Sequence, residues 1–198
     1  MTSAQIMVLI RLTFADPKAT ARHLIAMNPP AQARWLGLAL VAVLTVLTMR
    51  LTVLLLPTDE MSPVGMALRN PLSGFAIQVG SILLVAAAMT GAGRVFGGRG
   101  QFQDALLLMI WTEFLLAIIA CVQLVLLMVA PFAGVVLAFL AVGLFAWLIV
   151  QFAAALHGFT NLWAVLAGMI ATFFLLAVVT ALALALLGVD PTVVSGPI

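Results

Sequence analysis

The chain has 198 residues, of which 66% are apolar and 7% carry a charge, and its mean hydropathy is +1.32. Soluble domains hold about 45–50% apolar and about 25% charged residues, so this chain lacks the polar surface that a water-soluble fold requires. A formal net charge of +2, spread along the chain, is too small for a nucleic-acid-binding surface. A single cysteine excludes an internal disulfide and a cysteine-based zinc site. The composition therefore predicts a protein that crosses a membrane several times.

Residues 1–30 come before the first long apolar stretch and contain bases and helix-breaking residues. Asp16 followed by Pro17 is typical of a helix N-cap and a first helical residue. Pro29 and Pro30 should end that helix, because proline has no amide hydrogen to donate. The segment pairs apolar with basic faces, which predicts a cytoplasmic interfacial amphipathic segment over residues 1–30. A docking surface for a soluble partner is the alternative interpretation.

Five apolar stretches follow, each long enough to cross the hydrocarbon core of about 30 Å as a helix. Lipid cannot hydrogen-bond an exposed backbone, and no alternating pattern indicates a barrel, so the spans are helices. The third and fourth are separated only by a break at Pro131, where two spans joined by a tight turn fit better than one overlong helix. We predict an all-α polytopic bundle over residues 31–188, with spans at 35–56, 72–93, 105–130, 132–155 and 162–187.

Loop charges predict the orientation of this bundle, because basic residues are enriched in short cytoplasmic loops. Six of the eight Lys and Arg residues lie before the first span or in the second loop, whereas the first loop holds only Arg69. With five spans, we expect a cytoplasmic N-terminus and a periplasmic tail at 189–198. No cleavable signal peptide is visible, so the first span should act as the insertion signal. Lys18 is the one lysine among the eight basic residues, a composition typical of a GC-rich bacterial gene. We expect the protein in a bacterial cytoplasmic (inner) membrane.

Polar side chains inside the predicted spans are candidate functional residues, because ionisable groups are costly in hydrocarbon. Arg50 lies in the first span and Glu113 in the third. We interpret them as a structural ion pair, or as Arg50 reaching the outer interface while Glu113 is hydrogen-bonded separately. A proton or ion relay at Glu113 is the alternative interpretation. The side-chain amides of the three glutamines in the spans are expected to form hydrogen bonds between helices. The predicted intramembrane polar cluster is Arg50, Gln78, Glu113, Gln123 and Gln151.

The second loop is rich in glycine but lacks the preceding strand and the terminal Lys-Ser/Thr of a phosphate-binding loop. We predict a cytoplasmic reversal in which glycines adopt positive φ, Phe102 lies at the interface and Asp104 caps the third helix. His157, in the last cytoplasmic turn, is expected to be solvated and to hydrogen-bond a nearby carbonyl or headgroup. The candidate loop motif comprises Gly97, Gly98, Arg99, Gly100, Phe102, Asp104 and His157.

These motifs resemble those of the bacterial branch of the YIP1 family. The resemblance covers about residues 10–188 and rests on Asp16-Pro17, the glycine-rich loop with Ala105-Leu106, Trp111, His157-Gly158-Phe159 and Leu162-Trp163. It implies five spans with a cytoplasmic N-terminus. Eukaryotic relatives are associated with membrane trafficking, Rab-type GTPases and membrane shaping. The resemblance transfers no catalytic residue.

We therefore expect a non-enzymatic integral membrane protein that organises or shapes the membrane or docks partner proteins, with no cofactor and no metal. A small solute or ion transporter or channel that uses Glu113 and Arg50 is the alternative. Under either interpretation, the expected partners of the protein are the lipid bilayer and either a membrane protein or a second copy of the chain. No nucleic-acid partner is expected. An intramembrane enzyme is disfavoured, because the sequence offers no nucleophile–base pair and no metal-ligand set.

Overall fold

The computed structural model describes residues 3–55 and 70–186, and this part of the chain forms seven helices and no strand. Two short helices, α1 (Ser3–Ala15) and α2 (Pro17–Met27), come first. The five long helices are α3 (Ala31–Leu55), α4 (Pro71–Val95), α5 (Phe102–Val129), α6 (Pro131–His157) and α7 (Leu162–Leu186). The predicted all-α fold class is confirmed.

The five long helices are each long and apolar enough to cross a membrane. Even 25 residues, the length of α3, extend about 37 Å at 1.5 Å per residue, more than the hydrocarbon core needs. α3 and α5 begin at Ala31 and Phe102, earlier than the predicted residues 35 and 105, because a helix continues into the interface beyond its most apolar stretch. The predicted end residues 56 and 187 and the tail at 189–198 lie outside the described residues.

The break between α5 and α6 is a single residue, Ala130. Its amide donates to the carbonyl of Leu126 (2.6 Å) and so still closes α5, while Pro131 begins α6. Gly134 lets the two helices approach, since a Cβ there would lie 2.7 Å from the side chain of Leu127. Two helices joined by a tight turn therefore occupy this region, as the sequence predicts.

α5 is the central helix of the bundle, because it packs against α3, α4 and α6 and also against α2. α7 is peripheral. It packs against α4 and α6, and Val165 is the one buried side chain among those described in it. The largest apolar side chains that are fully buried come from α3 to α6: Leu38, Ile82, Leu108, Met109, Leu148, Ile149 and Phe152.

α1 and α2 form a hairpin (residues 3–27), whose second helix packs against α5 and α6. The carboxylate of Asp16 accepts a hydrogen bond from the amide of Ala19 (2.8 Å), and Pro17 is the first residue of α2, so the predicted helix start is confirmed. Leu9 and Leu24 are buried in the main core. The inner face of the hairpin is thus folded onto the bundle.

One end of the bundle collects most of the positive charge. The hairpin, the loop at 96–101 and the turn at 158–161 meet there, because the start of α3 is hydrogen-bonded to the start of α5 and the loop is hydrogen-bonded to the end of α6. We call it the basic end, and its bases are Arg11, Lys18, Arg22, Arg34, Arg94 and Arg99.

Candidate functional site

The loop at 96–101 begins with a Schellman-type helix end, in which a left-handed residue lets two amides reach back to the last turn. Gly97 has φ +84°, and its amide donates to the carbonyl of Arg94 (3.0 Å). The amide of Gly98 donates to the carbonyl of Gly93 (2.8 Å). The sequence prediction of positive φ thus holds for Gly97, whereas Gly98 has a different role.

The turn at 158–161 ends α6 in a similar way. Gly158 has φ +75°, and the amide of Phe159 donates to the carbonyl of Ala154 (2.9 Å). Asn161 then caps α7, because its side-chain oxygen accepts hydrogen bonds from the amides of Trp163 (3.0 Å) and Ala164 (3.2 Å). With α6 and α7 both held at this turn, the direction of the His157 side chain at the end of α6 is well defined.

The imidazole of His157 joins three parts of the chain. Its Nδ1 accepts a hydrogen bond from the amide of Gly100 (3.1 Å), and its Nε2 lies 3.2 Å from the carbonyl oxygen of Met89 in α4. The ring also stacks on Phe159, with the centroids 5.4 Å apart. These partners assign the neutral tautomer with its proton on Nε2, which donates to Met89, because Nδ1 is already an acceptor. Both ring nitrogens are therefore engaged in protein contacts.

Three glycines surround this ring because a side chain would overlap it. A Cβ would lie 2.1 Å from the ring at Gly93, 2.2 Å at Gly98 and 2.7 Å at Gly100. The motif glycines Gly98 and Gly100 thus provide space rather than unusual backbone angles. The expectation that His157 is solvated is wrong, since only 8% of the residue is exposed; the expected carbonyl partner is present.

Arg34 is the second connection at the basic end. It is 5% exposed and donates from Nη1 to the Gln103 side chain (2.7 Å) and from Nη2 to the Asn28 side chain (3.1 Å). Its Nη2 also lies 3.6 Å from the carboxylate of Asp104. The prediction that Asp104 caps α5 is wrong, because α5 begins at Phe102 and Asp104 already lies in its first turn. The carboxylate instead faces Arg34 at the start of α3.

The hairpin is held to α5 by a buried pair. The indole Nε1 of Trp111 donates to the hydroxyl of Thr13 (3.0 Å), which in turn donates to the carbonyl of Leu9 (2.7 Å). Phe102 is partly buried against the core, and Arg99 is exposed. Trp111 was visible in the sequence as a polar-tipped aromatic inside a span, but its partner lies 98 residues away.

Of the predicted intramembrane polar residues, the structure brings two together. The amide of Gln78 in α4 donates to the carboxylate of Glu113 in α5 (3.0 Å). Within the described residues there is no ion pair between Arg50 and Glu113, and Gln123 and Gln151 make no hydrogen bond. The described residues thus contain an amide–carboxylate contact between α4 and α5, not a continuous polar path.

The polar side chains described above form hydrogen bonds that join one helix or loop to another. Residues 3–55 and 70–186 contain no group of three His, Cys, Asp or Glu side chains that could hold a metal ion. Sequence reasoning did not identify Arg34 and Gly93 as site residues. The first was counted only as a loop charge, and the second is an isolated glycine whose role depends on a histidine far along the chain.

Comparison with known proteins agrees with this architecture. The family model of the Yip1 domain matches residues 11–184, from within α1 to near the end of α7. No curated protein and no solved structure matches the chain. The matched region includes the end of α1, all of α2, the glycine-rich loop with its histidine, and the five long apolar helices up to residue 184. The chain therefore belongs to the Yip1 family of integral membrane proteins.

Proposed function

We propose that this protein is a non-catalytic component that shapes a membrane by inserting the α1–α2 hairpin into one leaflet. The observation that carries the proposal is the asymmetry of the fold: at the basic end the bundle carries two additional helices. A protein that occupies more area in one leaflet than in the other favours curvature of the bilayer.

The outer face of the hairpin has the chemistry of an interfacial element. Met7, Val8 and Phe14 are each about half exposed on α1, next to the exposed base Arg11. Amphipathic helices of this type lie about 5–10 Å deep at the headgroup boundary, and each base adds about 1 kcal/mol of attraction to anionic lipids. The buried hydrogen bond between Trp111 and Thr13 attaches the hairpin to α5, which supports a fixed depth of the hairpin in the leaflet.

The proposed location is a bacterial cytoplasmic membrane with the basic end and the N-terminus in the cytoplasm. The six bases of the basic end support this orientation, because short cytoplasmic loops are enriched in Lys and Arg. The hydrogen bonds of His157, Arg34 and Glu113 each join one helix or loop to another. This structural role of the polar side chains supports a non-catalytic function.

Reconstitution into large unilamellar vesicles tests the proposal, with vesicle diameter and tubulation measured by cryo-electron microscopy. The wild-type protein should reduce the diameter or produce tubules, and the double substitution Val8→Gln, Phe14→Gln should suppress this effect. The matched control is Val8→Ile, Phe14→Leu, which keeps an apolar surface and should retain it.

Two results would contradict the shaping role. One is the absence of any change in vesicle shape with the wild-type protein at equal insertion and orientation. The other is an equal effect of the glutamine and control variants. Either result would favour the docking of a partner protein as the use of the outer face of the hairpin.

A further inference from the structure

A groove of about 530 Å³ lies between α4 and α7 and ends at the turn at 158–161. Its volume falls within the range of about 300–1,000 Å³ that is usual for small-molecule sites. The groove is separate from the outer face of the hairpin, so an inference about it does not depend on the proposed function.

The walls of the groove are apolar and run along the helices. They extend from Leu84 on α4 to Phe96, just after its end, and on α7 from Ala164 to Ala177, which corresponds to about 18–20 Å at 1.5 Å per residue. One leaflet contributes about half of a hydrocarbon core of about 30 Å. The groove is therefore long enough for an acyl chain that starts at the headgroup level.

The end of the groove at the turn is polar. His157, Thr160 and Asn161 line it there. Arg94 is close, because its Nε donates to the carbonyl of Gly100 (3.2 Å), the same residue whose amide binds His157. The loop also carries the exposed Arg99.

Two guanidinium groups, that of Arg94 at the end of α4 and that of Arg99 in the adjoining loop, thus supply positive charge at this end of the bundle. Neither Arg94 nor Arg99 forms an ion pair with any residue of the described part of the chain. The nearest acid in the loop region, Asp104, faces Arg34 instead. An anionic group at this level would therefore meet positive charge that is not already neutralised by a described carboxylate.

We propose that the groove between α4 and α7 binds one anionic phospholipid, with an acyl chain along the apolar walls and the phosphate group near Arg94 and Arg99. Along its length the described walls carry one polar side chain, Thr172, whose hydroxyl donates to the carbonyl of Gly168 (2.7 Å), so a lipid chain suits these walls better than water does. The weak packing of α7, in which Val165 alone is buried among the described side chains, leaves the groove available.

Native mass spectrometry of protein taken from vesicles of phosphatidylcholine and phosphatidylglycerol (4:1) tests this site. We expect one phosphatidylglycerol per chain to remain bound under activation that removes the other lipids. Ala88→Phe places a ring in the groove and should reduce this occupancy at least fivefold. Ala87→Phe is the matched control, because residue 87 is exposed on the same helix but does not line the groove.

A second pair of variants guards against misfolding of the first. Ala177→Phe fills the groove from the α7 wall, and Val178→Phe, which is outside the groove, is its control. Helicity and monodispersity in detergent establish that each variant is folded. Equal lipid occupancy in filled and control variants, or no retained lipid in the wild type, would overturn the proposal.

The headgroup assignment has its own test. Arg99→Gln should lower the preference for phosphatidylglycerol over phosphatidylcholine about fivefold, the factor expected for one base near an anionic headgroup. Arg22→Gln removes one exposed base from the same end without touching the groove and should leave the preference unchanged. An unchanged preference in Arg99→Gln, or an equal loss in both variants, would overturn the assignment of an anionic lipid.

Discussion

Gly93 allows the packing around His157 to be tested by the smallest possible change. In Gly93→Ala the new Cβ would lie 2.1 Å from Nε2 of the ring, whereas ordinary van der Waals contact begins at 3.4 Å. The ring must therefore move by more than 1 Å. Its two hydrogen bonds, of 3.1 and 3.2 Å to Gly100 and Met89, would not survive such a displacement.

The cost follows from two contributions. Overpacking of a well-packed site costs about 1–3 kcal/mol. A buried amide without its acceptor, here that of Gly100, costs about 1–3 kcal/mol more. We therefore expect Gly93→Ala to lower the free energy of unfolding by about 2–6 kcal/mol, which is a large part of the stability of a typical domain.

The assay is unfolding by SDS titration in mixed micelles, followed by tryptophan fluorescence. Gly91→Ala is the matched control, since it lies two residues earlier in α4 and its Cβ would meet nothing within 4 Å. It should leave stability unchanged or raise it by up to about 1 kcal/mol, because alanine favours a helix over glycine. In a His157→Ala background, Gly93→Ala should cost less than about 1 kcal/mol, because the ring it would overlap is gone.

A cost of Gly93→Ala that is the same with and without the His157 ring would refute this reasoning. So would a Gly93→Ala protein as stable as Gly91→Ala. Either result would mean that the ring is not confined by the glycines in the folded state.

Three further predictions concern the other contacts between helices. Trp111→Phe removes the hydrogen-bond donor to Thr13 and should lower the stability of the hairpin's attachment by about 1 kcal/mol, measured as faster hydrogen exchange over residues 3–15. Unchanged exchange there would argue against attachment of the hairpin by this bond. Arg34→Met should cost about 1.5–3 kcal/mol in the SDS titration, because it removes charge-assisted hydrogen bonds at the start of α3, and wild-type stability would contradict this. Glu113→Gln should change the free energy of unfolding by less than about 1 kcal/mol, since interhelical side-chain hydrogen bonds average about 0.6 kcal/mol in membranes. A loss above about 2 kcal/mol, well beyond that average, would indicate a further role for the carboxylate.

Local features of the fold were predictable from the sequence. The five long helices follow from apolar length, and the start of α2 follows from Asp16 and Pro17, because an N-cap is satisfied within three residues. The reversal at Gly97 is of the same kind. Asp104 was assigned the wrong role because its distance from the helix start was off by a few residues, and helix ends are the least certain part of a sequence prediction.

Length, apolar composition and chain punctuation thus determined that this protein crosses a membrane with five helices, since each of these properties acts over a few turns of one segment. Only the tertiary structure decided which polar groups meet. His157 accepts a hydrogen bond from the amide of Gly100, 57 residues away in the sequence, and Trp111 donates one to Thr13, 98 residues away. In an almost uniformly apolar chain the hydropathy pattern carries no information about which helix faces which, so the packing of side chains and the space left by glycines determine these partners.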